Sequence, residues 1–423
     1  MLSCAGTRTS PALAAVAVLL AGTLASLAGC GESSPTSTLG RDASTPSTPA
    51  NCASTVLETL SRVAQRIYHQ GVRSERTKVA LRLIGRSAAL REAVRTGDPV
   101  AARAAAETLL ATHHMNNVRV VRDGRVLADV GASQALAPLR GVIAAPGGAR
   151  AAVTTSVWDA SGVIAETHGM TEASVLLREG DRDIAGEPRL GARALAPSGT
   201  FTRNGVRYRY TSFPIERFSG APAREYLIRS LGSTADVCGP TEQDTVVRVL
   251  SRIALRVYEA EGGHRTLAQV RRVQRDGALL SAVAARDAAA ARKAIEDLLT
   301  QHIVRLRVSD SEGRLLSDVG GPDVLAPVRA PLSLGGRAIG DFVLSIQDDE
   351  GYLRLTRRLV GLKVIMRTRA GIVRNDLGPD PGRVPSSGSF SYRGEHFRVY
   401  TFTATAFPSG PLTIQALVPI PYS

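Results

Sequence analysis

The chain has 423 residues, a hydrophobic fraction of 44% and a formal charge of +14. That length and apolar content allow two or three domains with ordinary cores. The charge does not describe a nucleic-acid surface: lysine occurs only at 78, 293 and 363, the arginines are interspersed with Asp and Glu, and no basic tail, aromatic stripe or zinc-finger spacing accompanies them.

Arg8 precedes an apolar run over 11–27 that is too short and alanine-rich for a comfortable membrane span and has the form of a signal-peptide core. It ends in Leu27-Ala28-Gly29-Cys30, which resembles the bacterial lipoprotein lipobox. The resemblance implies a signal peptide over 1–29, acylation of Cys30 and export to the outer face of the cell membrane, with a lipid anchor in place of a transmembrane helix. Residues 30–51 are rich in Ser, Thr and Pro and are expected to be a disordered tether. With Cys4 in the signal and Cys30 acylated, Cys52 and Cys238 remain. They lie at equivalent places before two similar helices, and in an oxidising compartment such a pair is expected to form a disulfide.

From Cys52 onwards the sequence is written twice. LSRVAQRIY at 60–68 returns as LSRIALRVY at 250–258, and VVRDGRVLADVG at 120–131 as VSDSEGRLLSDVG at 308–320. SGTFTRNGVRYRYTSF from Ser198 returns as SGSFSYRGEHFRVYTF from Ser387. The copies are placed at 52–232 and 233–423. Each opens with an amphipathic helix, the first with a capping box at Thr55 and Glu58, the second at Thr241. Arg62 and Arg66, like Arg252 and Arg256, read as a solvated flank of that helix. More helix follows over 77–112 and 266–300, with breaks expected near Gly85 and Gly97 in the first copy.

Strand-like segments come next, with hairpin turns at Asp123-Gly124, Glu312-Gly313, Asn204-Gly205 and Arg393-Gly394. Leu136 to Arg140 and Leu325 to Arg329 read as a short helix or turn. The expected class is α+β, each copy a long N-terminal helical region packed on one antiparallel sheet of five or six strands.

This ordered set resembles the extracytoplasmic PAS-like sensor modules of the Cache or PDC type, in two tandem copies. The resemblance implies a small-ligand pocket on the sheet face away from the long helix, small metabolites such as organic acids or amino acids as ligands, and a membrane signalling partner, because no output domain is seen in the sequence. Arginine suits carboxylates through its two-pronged fork. The recurring candidates are Arg119 and Arg307 on the first strand and Arg209 and Arg398 on the penultimate one, with Trp158 and Tyr400 as walls. The alternatives are an exposed sheet arginine, or one paired with Asp129 or Asp318, and core packing for Trp158.

His114 and His302 fit helix ends better than a metal site. No cofactor is implied, and catalytic motifs for hydrolysis, phosphate binding or dinucleotide binding are missing, so the expectation is a non-enzyme. A docking lipoprotein without a working pocket is the alternative function. The copies differ most at 141–150 against 330–337 and at 165–172 against 353–360, segments expected to line any pockets.

Overall fold

The computed structural model describes residues 49–422 except 114, 191–193, 261–262 and 300–301. The signal peptide, Cys30 and most of the tether lie outside the described residues, and 49–51 are already helical. Helix α1 (Pro49–Arg73) starts ahead of Thr55, with proline in its first turn, where a missing N–H costs nothing. The expected capping box is therefore interior: the Thr55 hydroxyl donates back to the Asn51 carbonyl at 3.0 Å.

Three shorter helices follow, α2 (Glu75–Arg86), α3 (Ala88–Thr96) and α4 (Pro99–His113). The break expected at Gly85 falls instead at Ser87, whose hydroxyl accepts the Leu90 amide and caps α3. The break at Gly97 is present, with φ 73°. Strands β1 (Asn117–Arg122) and β2 (Arg125–Gly131) form the expected hairpin, its Asp123 and Gly124 both at positive φ, 49° and 77°. Then come β3 (Ala135–Leu136), β4 (Leu139–Ala144), β5 (Arg150–Ser156) and β6 (Trp158–Asp159), so Leu136 to Arg140 is two strand pieces about a turn at Ala137. Helix α5 (Ala160–Thr171) leads to β7 (Ser174–Glu179), β8 (Arg182–Gly186), β9 (Ser198–Arg203), β10 (Val206–Glu216) and β11 (Pro222–Ser230), and α6 (Leu231–Ala235) ends the half.

The second half repeats the order. Helix α7 (Glu242–Glu259) is capped as expected, the Thr241 hydroxyl accepting the Asp244 amide at 3.1 Å. It is followed by α8 (His264–Val273), α9 (Gly277–Ala285) and α10 (Ala288–Leu299). Strands β12 (Arg305–Asp310), β13 (Leu315–Gly320), β14 (Val324–Leu325), β15 (Val328–Leu334), β16 (Arg337–Ser345) and β17 (Gln347–Asp348) come next. Helix α11 (Asp349–Leu355) runs into a π-helical turn over Thr356–Val360. The half closes with β18 (Lys363–Thr368), β19 (Gly371–Asn375), β20 (Gly388–Tyr392), β21 (Glu395–Phe407) and β22 (Gly410–Ile420).

Each half carries two main antiparallel sheets where a single one was expected, besides the short β3–β6 pair of the first half and its counterpart β14–β17, which joins the larger second-half sheet through β21. The smaller are ordered β2-β1-β5-β4 and β13-β12-β16-β15; the larger follow β8-β7-β11-β10-β9 and, correspondingly, β19-β18-β22-β21-β20. The division has a simple cause: α5 carries the chain away from β5, and β7 then pairs with β11, far along the chain, instead of extending the first sheet. The three short helices of each half bury their apolar faces on the smaller sheet, with Ile84, Leu90 and Val94 against Val118 and Val153 in one cluster and Val273, Leu279 and Val283 against Leu306 and Phe342 in the other.

The two long helices share one core. Leu60, Val63 and Ile67 of α1 and Leu250, Ile253 and Val257 of α7 are buried in the same cluster, together with Phe213 and Leu227 of one larger sheet and Ile414 and Ala416 of the other. A disulfide joins Cys52 to Cys238, with Cα atoms 5.8 Å apart. Equivalent contacts recur in both halves. The Tyr68 hydroxyl accepts the Glu216 amide at 2.7 Å, and the Tyr258 hydroxyl accepts that of Thr405 at 2.9 Å, so each long helix is pinned to its own larger sheet.

The arginine pairs also bridge the halves. Arg62 and Arg66 lie over the Tyr422 ring, and Arg66 also covers Gly361. Arg252 and Arg256 pair with Glu172, which stands in the first half where Gly361 stands in the second. Such reciprocal contacts are those of a two-fold-related pair, here within one chain. Among the described residues no helix is long and apolar enough to cross a membrane.

Candidate functional site

One cavity in the second half has a volume of about 570 Å³, in the range of small-molecule sites. Three chain segments converge on it. From β16 the chain passes Ile346 into β17, where Gln347 is buried and Asp348 caps α11 by accepting the Gly351 amide at 2.6 Å. That cap fixes the first turn of α11 and brings Arg354 to the cavity wall. Helix α8 supplies Arg265, Ala268 and Gln269, and the residues entering β12 supply His302, Ile303 and Val304.

The electrostatics of this wall are one-sided. Neither Arg265 nor Arg354 makes a hydrogen bond or ion pair with a described residue, and the single lining carboxylate, Asp348, is engaged as the helix cap. Nearby, burial and the like charge of Arg354 push the Arg358 guanidinium below its usual range, with Glu166 opposing. Two uncommitted guanidiniums beside apolar Ile303, Val304, Ile346 and Leu355 make a site suited to a small anion with an apolar body. Arg354 and Leu355 belong to the segment 353–360 in which the two copies diverge.

The six candidates drawn from the sequence are not brought together, and none lines this cavity. Arg119 donates to Asp129 across the β1–β2 register and lies over the Phe218 ring. Arg307 donates to Asp318, shared with Arg305, and both lie over Phe407. Arg209 sits between Thr200 and Arg229 in the larger sheet, and Arg398 between Ser389 and Val418, its Nε buried without an acceptor. Tyr400 packs at 6.4 Å from Phe402 and is among the exposed side chains. Trp158 is wedged between α1 and α5, against Gly71 and Gly162.

Strand alternation puts Arg209 and Arg398 on the long-helix side with Phe213 and Phe402. The opposite face, where the family resemblance implies a pocket, is filled. Tyr210, Tyr226 and Ile228 are closed over by Leu190 and Leu195 in the first half, and Phe397, Val399 and Leu417 by Leu377 and Val384 in the second.

One ionisable residue escaped the sequence reading. Glu225 on β11 is fully buried, in register with Phe213 and Leu177, and neither carboxyl oxygen has a hydrogen-bond partner. Burial pushes its carboxyl up to about 8; Thr167 of α5 opposes the shift, although its hydroxyl makes no well-formed hydrogen bond. The equivalent residue is Ile414, which faces Phe402 as Glu225 faces Phe213. Comparing the repeats at that position would have exposed the substitution.

His302 takes a left-handed conformation, φ 74°, where α10 gives way to β12, and His114 lies outside the described residues. Among the described residues no group of three or more His, Cys, Asp or Glu side chains is placed to hold a metal.

No family model matches the chain, and no curated protein matches it. Among solved structures, the ligand-binding domain of the Pseudomonas fluorescens chemoreceptor CtaA in complex with L-alanine is 12% identical, covers 41% of this chain and 97% of its own, and has a TM-score of 0.25. The same domain in complex with L-serine gives 12%, 36%, 89% and 0.21. An extracellular ligand binding receptor from Desulfohalobium retbaense is 12% identical over 53% of this chain and 47% of its own, with a TM-score of 0.23. Scores at this level do not establish a common fold.

Proposed function

We propose that this protein is a non-catalytic binder of a small carboxylate metabolite, which it takes up in the cavity between α8 and α11. The observation that carries the reading is the pair Arg265 and Arg354, two guanidiniums on one cavity wall with no partner among the described residues. Both side chains are exposed, and an unpaired guanidinium beside apolar surface gains a charge-assisted, two-pronged hydrogen bond when a carboxylate enters. The lipobox-like Leu27-Ala28-Gly29-Cys30 and the Cys52–Cys238 disulfide support export and anchoring by acyl chains on Cys30 at the outer face of a bacterial membrane. A membrane partner would then read the bound state, the two tandem modules at 52–232 and 233–423 acting as the sensing part.

The test is a thermal-shift screen of residues 44–423, which form one compact unit, against organic acids and amino acids. A ligand at 100 times its Kd stabilises the folded state by about 2.7 kcal/mol. Arg265→Ala and Arg354→Ala should each weaken a hit about 10- to 100-fold, the worth of one charged hydrogen bond. Arg119→Ala, which removes the pair with Asp129 and the contact with Phe218 away from this cavity, should leave the hit in place. The filled faces of the larger sheets favour a docking lipoprotein instead, and that reading predicts silence from a folded chain across the whole library.

A further inference from the structure

The two halves are equivalent around one position that differs in size and chemistry. Leu136 pairs with Trp158 in the first half as Leu325 pairs with Gln347 in the second. The Ser156 hydroxyl donates to the carbonyls of Leu136 and Trp158, and the Ser345 hydroxyl to those of Leu325 and Gln347. Asp159 then caps α5 through the Gly162 amide as Asp348 caps α11 through that of Gly351. Backbone and caps therefore superimpose in function, and the side chain at 158 or 347 is what changes.

In the first half that side chain is an indole, partly buried and held between two helices. Gly71 of α1 has no room for a Cβ against its five-membered ring, and a Cβ on Gly162 of α5 would lie 3.2 Å from its six-membered ring. Trp158 packs on both first-half clusters, the shared core and the one under the smaller sheet, so it fills the seam between them. In the second half Gln347 occupies this place and the seam is the cavity of about 570 Å³. One member of the arginine pair is lost from the first half: 189 residues before Arg354 stands Ala165, whereas Arg76 stands before Arg265.

We propose that position 158/347 determines which half binds: the Trp158 indole plugs the first-half counterpart of the cavity, and each chain has one ligand site. This rests on the reading of the second-half cavity as the ligand site, but the plug can be tested without knowing the ligand. Full-length chain carrying Trp158→Ala should take up indole, so that millimolar indole raises its Tm by at least 2 °C and leaves the wild type unmoved. In a second variant, Gln347→Trp, the added indole should be shielded, quenched by acrylamide no more strongly than Trp158, the single tryptophan of the wild type. A carboxylate that stabilises the wild type should lose at least tenfold in affinity for Gln347→Trp.

Folded Trp158→Ala that ignores indole, or a Gln347→Trp indole quenched as if in water, overturns the plug. If Trp158→Ala does not fold, the quenching of Gln347→Trp decides alone. Indole uptake by Trp158→Ala together with carboxylate silence of the wild type supports the plug while removing the carboxylate reading.

Discussion

Replacing Glu225 by glutamine should make the protein more stable at neutral pH, and increasingly so as pH rises. The carboxyl is fully buried on β11 among apolar neighbours, without a cation or a hydrogen-bond donor of good geometry, and its ionisation is pushed from 4.5 to about 8. A carboxyl whose folded-state pKa is raised keeps its proton in the native state while the unfolded chain has already lost it. The native state therefore binds more protons between 4.5 and 8, and stability falls with pH across that window. At about 1.36 kcal/mol for each unit, the penalty reaches roughly 3 kcal/mol at pH 7 and about 5 kcal/mol once pH exceeds 8.

Glu225→Gln removes the titration, and Glu225→Ile, the residue of the second half, should remove it as well with better packing. The assay is Tm against pH from 4 to 9 for the wild type and both variants. The curves should converge near pH 4 and separate by several degrees at pH 8, since about 1 kcal/mol moves Tm by roughly 2 °C in a unit this large. Parallel curves, or a wild type that is more stable than Glu225→Gln at pH 8, would refute the reasoning: Glu225 would then have a charged partner in solution.

Two further outcomes follow from the contacts between halves. The Cys52–Cys238 bond closes 186 residues, and in the chain-entropy account Cys52→Ala with Cys238→Ala should cost up to about 5 kcal/mol, read as a lowered Tm that dithiothreitol reproduces in the wild type. Glu172 pairs with Arg229, Arg252 and Arg256 together, and burial with the Arg252 charge already holds the Arg229 guanidinium below its usual range, Asp236 opposing. Glu172→Gln should destabilise by about 1–2 kcal/mol, an effect that shrinks in added salt as the repulsion among the arginines is screened.

Local features were legible because local sequence determines them. Asp123-Gly124 and Asn204-Gly205 place both residues at positive φ, as a two-residue hairpin turn requires, and both hairpins form where they were read. The repeat itself showed that the halves share one element order, and the pairing of Cys52 with Cys238 followed from their equivalent positions. Thr241 caps its helix and Thr55 does not, because Pro49 starts α1 upstream in a segment that looked like tether. The division into two sheets was not legible, since whether β7 joins β5 or β11 is decided by packing between distant segments.

The site was hidden for a similar reason. Recurrence in both copies singled out Arg119 and Arg307, which recur because both are paired across the same hairpin with Asp129 and Asp318. The cavity depends on what does not recur. It exists where Gln347 stands in place of Trp158, and where Arg354 replaces Ala165 in a stretch marked only as divergent.

The most direct measurement is a calorimetric titration of the chain with the organic acid that most raises its Tm, repeated on Arg265→Ala and Arg354→Ala. Binding at one site per chain, weakened at least tenfold in both variants and unchanged in Arg119→Ala, is the expected result. Two equal sites, or undiminished binding by a chain lacking both Arg265 and Arg354, would contradict the account.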